Sequence, residues 1–292
     1  SCARKLLFVI TNRWDMYLTA DSFQEWKHSL NKALADNDWK YPVLTANNYF
    51  EEFFLHKDVQ LVPPEEQKLE LQRQEDQNDF STHFIPVIRS LGLSFIPFDP
   101  NVQFVEHPPH CLVYRHNTAT TLIYEHSKRI GFHYECLEFG LPYGGPTFLR
   151  SQHSPFLFFP YQVSVMKQWE SVRAGIVMLL PTPEFFRKIA KRYSELYIVN
   201  NAFTSLIEES GTFNSDVWKQ YFDHYSEDFK PCAVYFKSWR DLNKIIGHKT
   251  WLEKEPGCIE YGKSFGDLQL GLWRRLFEQR FPELPLPDYT DS

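Results

Sequence analysis

Two apolar runs, Phe156 to Phe159 and Ile176 to Leu180, bracket a stretch of helical periodicity from Ser164 to Ala174 that stops at Gly175. Short apolar runs bounded by turn residues fit strands buried on both faces. Two strands joined through a helix lie parallel, since an antiparallel pair needs only a tight turn. The start of the chain repeats this grammar. Leu6 to Ile10 is a continuous apolar run that ends in Thr11-Asn12-Arg13, Asp21-Ser22 offers a helix N-cap, and Phe23, Trp26, Leu30 and Leu34 recur at helical spacing as far as Asp36-Asn37-Asp38.

The same alternation continues along the chain. Apolar runs at Tyr41 to Leu44, Val59 to Val62 and Leu93 to Phe98 read as strands, and Phe80 to Leu91 reads as a helix between the last two. Pro63 to Asp79 is charge-rich and reads as a solvated connection. Pro108-Pro109 marks an inter-domain linker, because paired prolines continue neither a helix nor a central strand. A second set follows: strand Cys111 to Tyr114, helix Ala119 to Ile130, a Gly/Pro loop at Gly140 to Gly145, the bracketed unit above, helix Trp218 to Tyr225, strand Ala233 to Phe236, helix Ser238 to Ile246 and an amphipathic helix Phe265 to Phe281. The expected class is α/β, with two Rossmann-like halves at residues 1–107 and 108–246. Residues 247–292 are expected to form a C-terminal helix returning across the first half, plus a tail.

Composition removes several functions. Lys and Arg number 31 against 37 Asp and Glu, a net charge of −6, and no basic block gives nucleic acid an electrostatic footing. No apolar run approaches the roughly 18 residues that span a bilayer. Aromatic residues make up 17%, ample for a large core. Cys2, Cys111, Cys136, Cys232 and Cys258 are scattered, odd in number and free of C-x-x-C pairs, so neither a disulfide framework nor a thiolate zinc site is indicated. With no N-glycosylation sequon either, the expected location is a reducing one, the cytoplasm. The chain does not begin with Met, which implies processing or trimming.

The block from Ser154 to Pro183 carries the most chemistry. Ligands of open parallel sheets bind outside the carboxyl ends of the strands, where the Tyr161 to Ser164 loop and Pro181-Thr182-Pro183 fall. The helix that starts near Ser164 offers free N–H groups and a positive dipole end for a diphosphate. Ser164 adds a hydroxyl, Lys167 a charge, and Glu170 a carboxylate able to accept both hydrogen bonds of a ribose diol. The alternative is that Glu170 is an ordinary helical surface residue in a generic βαβ unit.

This ordered pattern resembles the donor-binding motif of GT-B glycosyltransferases, in particular the exostosin-like group, and is similar to small glycosyltransferases of large algal DNA viruses, the chloroviruses. Asp228-Phe229-Lys230-Pro231 and Phe236 to Leu242 look like the tail that follows the motif. The resemblance covers residues 150–246. The exostosin pattern has an arginine in the helix ahead of the glutamate, where this chain has Met166 or Lys167. The resemblance implies two Rossmann-like domains facing a cleft, a nucleotide-sugar donor as co-substrate with UDP-xylose one candidate, and a glycan or glycoprotein acceptor. It implies no cofactor and a host-cytoplasm location if the chain is viral.

Further candidates flank that block. Asp15, after the first strand, is placed to act as general base toward an acceptor hydroxyl, as inversion at the anomeric carbon requires; it also suits a turn cap or a pairing with Arg13. Arg13 and Arg115 can meet the leaving diphosphate without a metal. Tyr143, in the Gly140 to Gly145 loop beside Glu138, and Tyr161 offer rings to a base or a sugar. Asp36 and Asp38 have the Asp-x-Asp spacing of metal-dependent GT-A transferases, but follow a helix rather than a strand. His107 and His110 lack further zinc ligands at motif spacing. No G-x-G-x-x-G, Walker loop, H-E-x-x-H or G-x-S-x-G occurs. The reading is a metal-independent glycosyltransferase with inversion favoured. The alternatives are a GT-A enzyme using Asp36 and Asp38 and a non-catalytic sugar or nucleotide-binding module.

Overall fold

The computed structural model describes residues 7–10, 20–35, 43–48, 51, 87–89, 111–115, 134–138, 148, 150–151, 153–160, 164, 166–192 and 222–282. The chain is mixed α/β, and every strand pair among these residues is parallel. It divides into two compact units: residues 1–90 with 267–292, and residues 91–266.

In the first unit, β1 (Leu7–Ile10) pairs in parallel with β2 (Val43–Ala46). Between them in sequence runs α1 (Ala20–Ala35), with Leu30 buried and Trp26 half-buried on one face. The helix starts one residue before the expected cap, so Asp21 lies in its first turn, where a carboxylate complements the dipole. The expected helix Phe80 to Leu91 is overturned at 87–89: Val87 makes a parallel bridge to Ala46, and the Ile88 N–H donates to the Ala46 carbonyl at 2.8 Å. Pro86 accounts for the interruption, since a proline inside a run of helical periodicity removes a helix hydrogen bond and its ring clashes with the preceding turn. Ile88 packs with Leu276 and Phe281, alongside Leu272, Trp273 and Phe277.

The second unit is built on a five-stranded sheet: β3 (Cys111–Arg115), β4 (Tyr134–Glu138), β5 (Phe156–Leu157), β6 (Met178–Pro181) and β7 (Ala233–Phe236), in the spatial order β4-β3-β5-β6-β7. The chain therefore leaves β3 toward one side and returns on its other side, which makes the gap between β3 and β5 a topological switch point. β4 was not expected, because Glu135 and Glu138 interrupt its apolar pattern. After β5 come α2 (Met166–Arg173) and then β6, α3 (Pro183–Arg192), β7, α4 (Trp239–Gly247) and α5 (Glu255–Arg280). α3 was not expected; it starts at the end of the Pro181-Thr182-Pro183 loop, with Pro183 as its first residue, where a missing N–H costs nothing.

The expected helix Trp218 to Tyr225 is reduced, within the described residues, to one 3-10 turn at Asp223–Tyr225 after extended Phe222. α5 starts ten residues before the expected Phe265, and its residues up to 266 belong to the second unit. It lies so close to α2 that a side chain on Gly262 would put its Cβ 2.3 Å from the Val172 carbonyl oxygen. Glycine here permits packing rather than ending a helix.

α2 ends in a Schellman motif. Gly175 N–H donates to Val172 O and Ile176 N–H to Ser171 O, both at 2.9 Å, and Gly175 takes φ +69°. The Arg150 guanidinium donates to the Ala174 carbonyl at 3.0 Å, a cation against the negative end of the dipole. Beneath α2, Trp169 stacks on Phe265 at 5.0 Å between centroids, meets Phe229 edge-on at 5.6 Å, and donates Nε1–H to the buried Asp223 carboxylate at 3.0 Å. A buried hydrogen bond to a charged group contributes about 1.5–3 kcal/mol.

The cysteine reading requires correction. Cys232, just before β7, and Cys258, in the first turn of α5, form a disulfide, and both are fully buried. Spacing could not reveal it, because the two residues, 26 apart in sequence, meet only through the fold. The pair overturns the expectation that the cysteines do not form a disulfide.

Candidate functional site

The carboxyl edge of the second unit's sheet collects the polar and aromatic groups of interest. β5 leads through Phe158, Phe159 and Pro160, all buried, to Ser164, which is only 1% exposed and lies two residues before α2. Gln168 and Ser171, four and seven residues further on, are fully buried too, so one polar stripe runs down a buried face of α2. Neither Gln168 amide atom has a hydrogen-bond partner. Glu170 is half-buried on α2, and Lys167 belongs to the first turn of that helix.

Arg115 is the last residue of β3, in register with Glu138 at the end of β4. It stands in the strand rather than in the loop after it. Because β3 and β5 flank the switch point, Arg115 and the segment leading to Ser164 belong to the two strand ends where a ligand of such a sheet binds. Asp15, Arg13, Tyr143 and Tyr161 lie outside the described residues, as do Asp36, Asp38, His107 and His110. Among the described residues no group of three or more His, Cys, Asp or Glu could hold a metal ion.

The turn Asp223–Tyr225 also crosses this edge. Tyr225 Oη donates to the Pro181 carbonyl at 3.1 Å, and Tyr235 Oη to the His224 carbonyl at 2.7 Å. His224 stacks on Phe158 at 5.1 Å, and neither ring nitrogen has a hydrogen-bond partner. Burial pushes its pKa down to about 3, so the ring is neutral at neutral pH. Burial, then the Glu227 charge, raises the Tyr235 hydroxyl above its ordinary range, keeping it a donor. No sequence motif marks His224, because its setting depends on the aromatic neighbours that the fold brings around it.

At the ends of β6 and β7, Thr182 Oγ1 accepts from the Phe185 N–H at 3.3 Å and Ser238 Oγ from the Asp241 N–H at 3.2 Å, capping α3 and α4. Trp239, the first residue of α4, lies 5.7 Å from both Phe159 and Phe185 between ring centroids.

The first unit has its own polar cluster. Among the described residues, the buried polar or charged groups of this unit are Thr45, Asn47, Asn48, Glu51, Arg89 and Gln269, and Asn47, Asn48 and Glu51 lie just past the carboxyl end of β2. Asn48 Nδ2 donates to Asn47 Oδ1 at 2.6 Å and Asn48 Oδ1 accepts from the Glu51 N–H at 2.9 Å, while the Arg89 N–H donates to Gln269 Oε1 at 2.7 Å. Sequence reading missed this cluster, for which the tandem Asn47-Asn48 after an apolar run is the visible sign. Ile10 and Ala46 are in register at the carboxyl end of β1 and β2.

No helix among the described residues is long and apolar enough to cross a membrane. Comparison with known protein families, curated proteins and solved structures returns no match for this chain.

Proposed function

We propose that the chain is a GT-B-type glycosyltransferase of exostosin-like character that moves a sugar from a nucleoside diphosphate to a glycan hydroxyl. The observation that carries this is the order of parts in the unit that starts at the switch point: β5, buried Ser164, α2 with half-buried Glu170, the Gly175 stop and β6. In this reading the N-terminus of α2, Ser164 and Lys167 hold the diphosphate, and Glu170 accepts from the ribose hydroxyls. Tyr161 and Tyr143 border the donor. The first unit, with its polar cluster, binds the acceptor.

Asp15 takes the proton of the acceptor hydroxyl, whose oxygen forms the new bond to the anomeric carbon. The bond from that carbon to the diphosphate breaks, and the nucleoside diphosphate departs with the electron pair. Arg115 and Arg13 neutralise the charge that develops on it, which needs no metal.

Glu170→Ala tests the reading. Loss of two hydrogen bonds to a carboxylate, at about 1.5–3 kcal/mol each, weakens UDP binding by about 100-fold or more in calorimetry. Unchanged affinity removes the assignment. Transfer or hydrolysis of a sugar nucleotide that disappears in Asp15→Ala while UDP still binds separates an enzyme from a binding module, and full turnover in excess chelator eliminates the GT-A alternative.

A further inference from the structure

The carboxyl edge holds more than the donor motif. Trp239 opens α4 immediately after the Ser238 cap, and Phe185 lies in the first turn of α3; both are half-buried, unlike the fully buried Phe159 and Phe236 that they touch. Phe185 meets Trp239 at 82° and Phe236 at 70°, each near 5.7 Å (5.7 and 5.8 Å), while Trp239 reaches Phe159 at 5.7 Å. Phe159 is the second residue after β5 and lies five residues before Ser164. An indole carried by the helix after β7 is thus packed against the chain that leaves β5. Aromatic rings kept partly in solvent at a sheet's ligand-binding edge forgo burial that a core position would give them.

We infer that Trp239, supported by Phe185, is the stacking shelf for the base of the nucleotide. This rests on the donor reading above and adds the residue that recognises the base. β5 and β7 are separated by two strand spacings, about 10 Å. A diphosphate at the N-terminus of α2, next to β5, therefore leaves its nucleoside free to extend along the edge toward α4. A base is planar and offers a π face, the surface that an indole recognises; the diphosphate, charged and non-aromatic, gains nothing from it.

The test compares two probes on the full chain by calorimetry: UDP, and inorganic pyrophosphate, which has no base. Trp239→Leu weakens UDP by about tenfold or more and leaves pyrophosphate within about twofold, whereas Trp239→Phe, which keeps a ring, retains most of the UDP affinity. Melting points measured alongside show that each variant is folded. If Trp239→Leu does not fold, Phe185→Leu is read by the same ratio of the two affinities. Equal losses for both probes, or undiminished UDP binding in the leucine variant, overturn the shelf. A Glu170→Ala loss beside full UDP affinity in Trp239→Leu overturns the shelf alone, whereas a wild-type chain that binds no UDP overturns the donor reading itself.

Discussion

The amino and carboxyl ends of the second unit's sheet are finished in opposite ways. At the amino end, the disulfide fastens the start of β7 to the start of α5, and Gly175 turns the chain into β6 with α5 against it. At the carboxyl end, three helices begin, Thr182 and Ser238 cap two of them, and aromatic rings stay only partly buried. One end is closed by covalent and close-packed contacts; the other gathers groups able to bind. Stability and recognition can therefore be perturbed separately within a single sheet.

The largest expected effect is at the closed end. Replacing both Cys232 and Cys258 by Ser removes a cross-link between residues 26 apart, worth roughly 3.5 kcal/mol by loop-closure entropy. Thermal unfolding should shift down accordingly, with UDP affinity measured at 25 °C unchanged for the folded fraction. Reduction under denaturing conditions should release two further thiols. Equal melting points for the variant and wild type would break the comparison.

Acid should act through the carboxyl end. The folded-state pKa of His224 lies near 3, below its ordinary 6.5, so the unfolded chain binds the extra proton first as pH falls. Its contribution is complete above pH 6.5 and is lost progressively down to about 3, a change of a few kcal/mol. In His224→Phe the fall of melting point between those limits should be shallower. Next in size is Gly175→Ala, which adds a Cβ 2.7 Å from the Ile259 side chain at positive φ; it should cost about 1–2 kcal/mol in denaturant unfolding. The smallest effect is Ser238→Ala, which removes the α4 cap for about 1 kcal/mol, read as a small shift in the urea midpoint.

Much of this fold was legible because periodicity reports burial directly. β1, β6, β7 and α4 stand close to where apolar runs and the Ser238 cap place them. What stayed hidden depends on partners distant in sequence. β4 carries two glutamates and is recognised only by its pairing with β3. The first half of α5 contains Pro256, Gly257 and Gly262, residues that signal a break unless the close approach of α2 is known. Prolines misled in both directions: Pro183 begins a helix, while Pro86 precedes the bridge that replaces one. Of the candidate site, Ser164 and Glu170 were legible from the order of the motif. Trp239 lies in the later stretch Phe236 to Leu242, and its nearness to Phe159 exists only in three dimensions.

α5 is one unbroken helix, yet its residues divide between the units at 266 and 267. A stop codon placed after 266, the natural cut for expressing the second unit alone, would strip the first unit of Leu276 and Phe281 against Ile88 and of Gln269 against Arg89. Neither half can be excised as a contiguous stretch of gene without dividing this rod, so dissection by truncation should yield insoluble first-unit fragments even where the remainder folds.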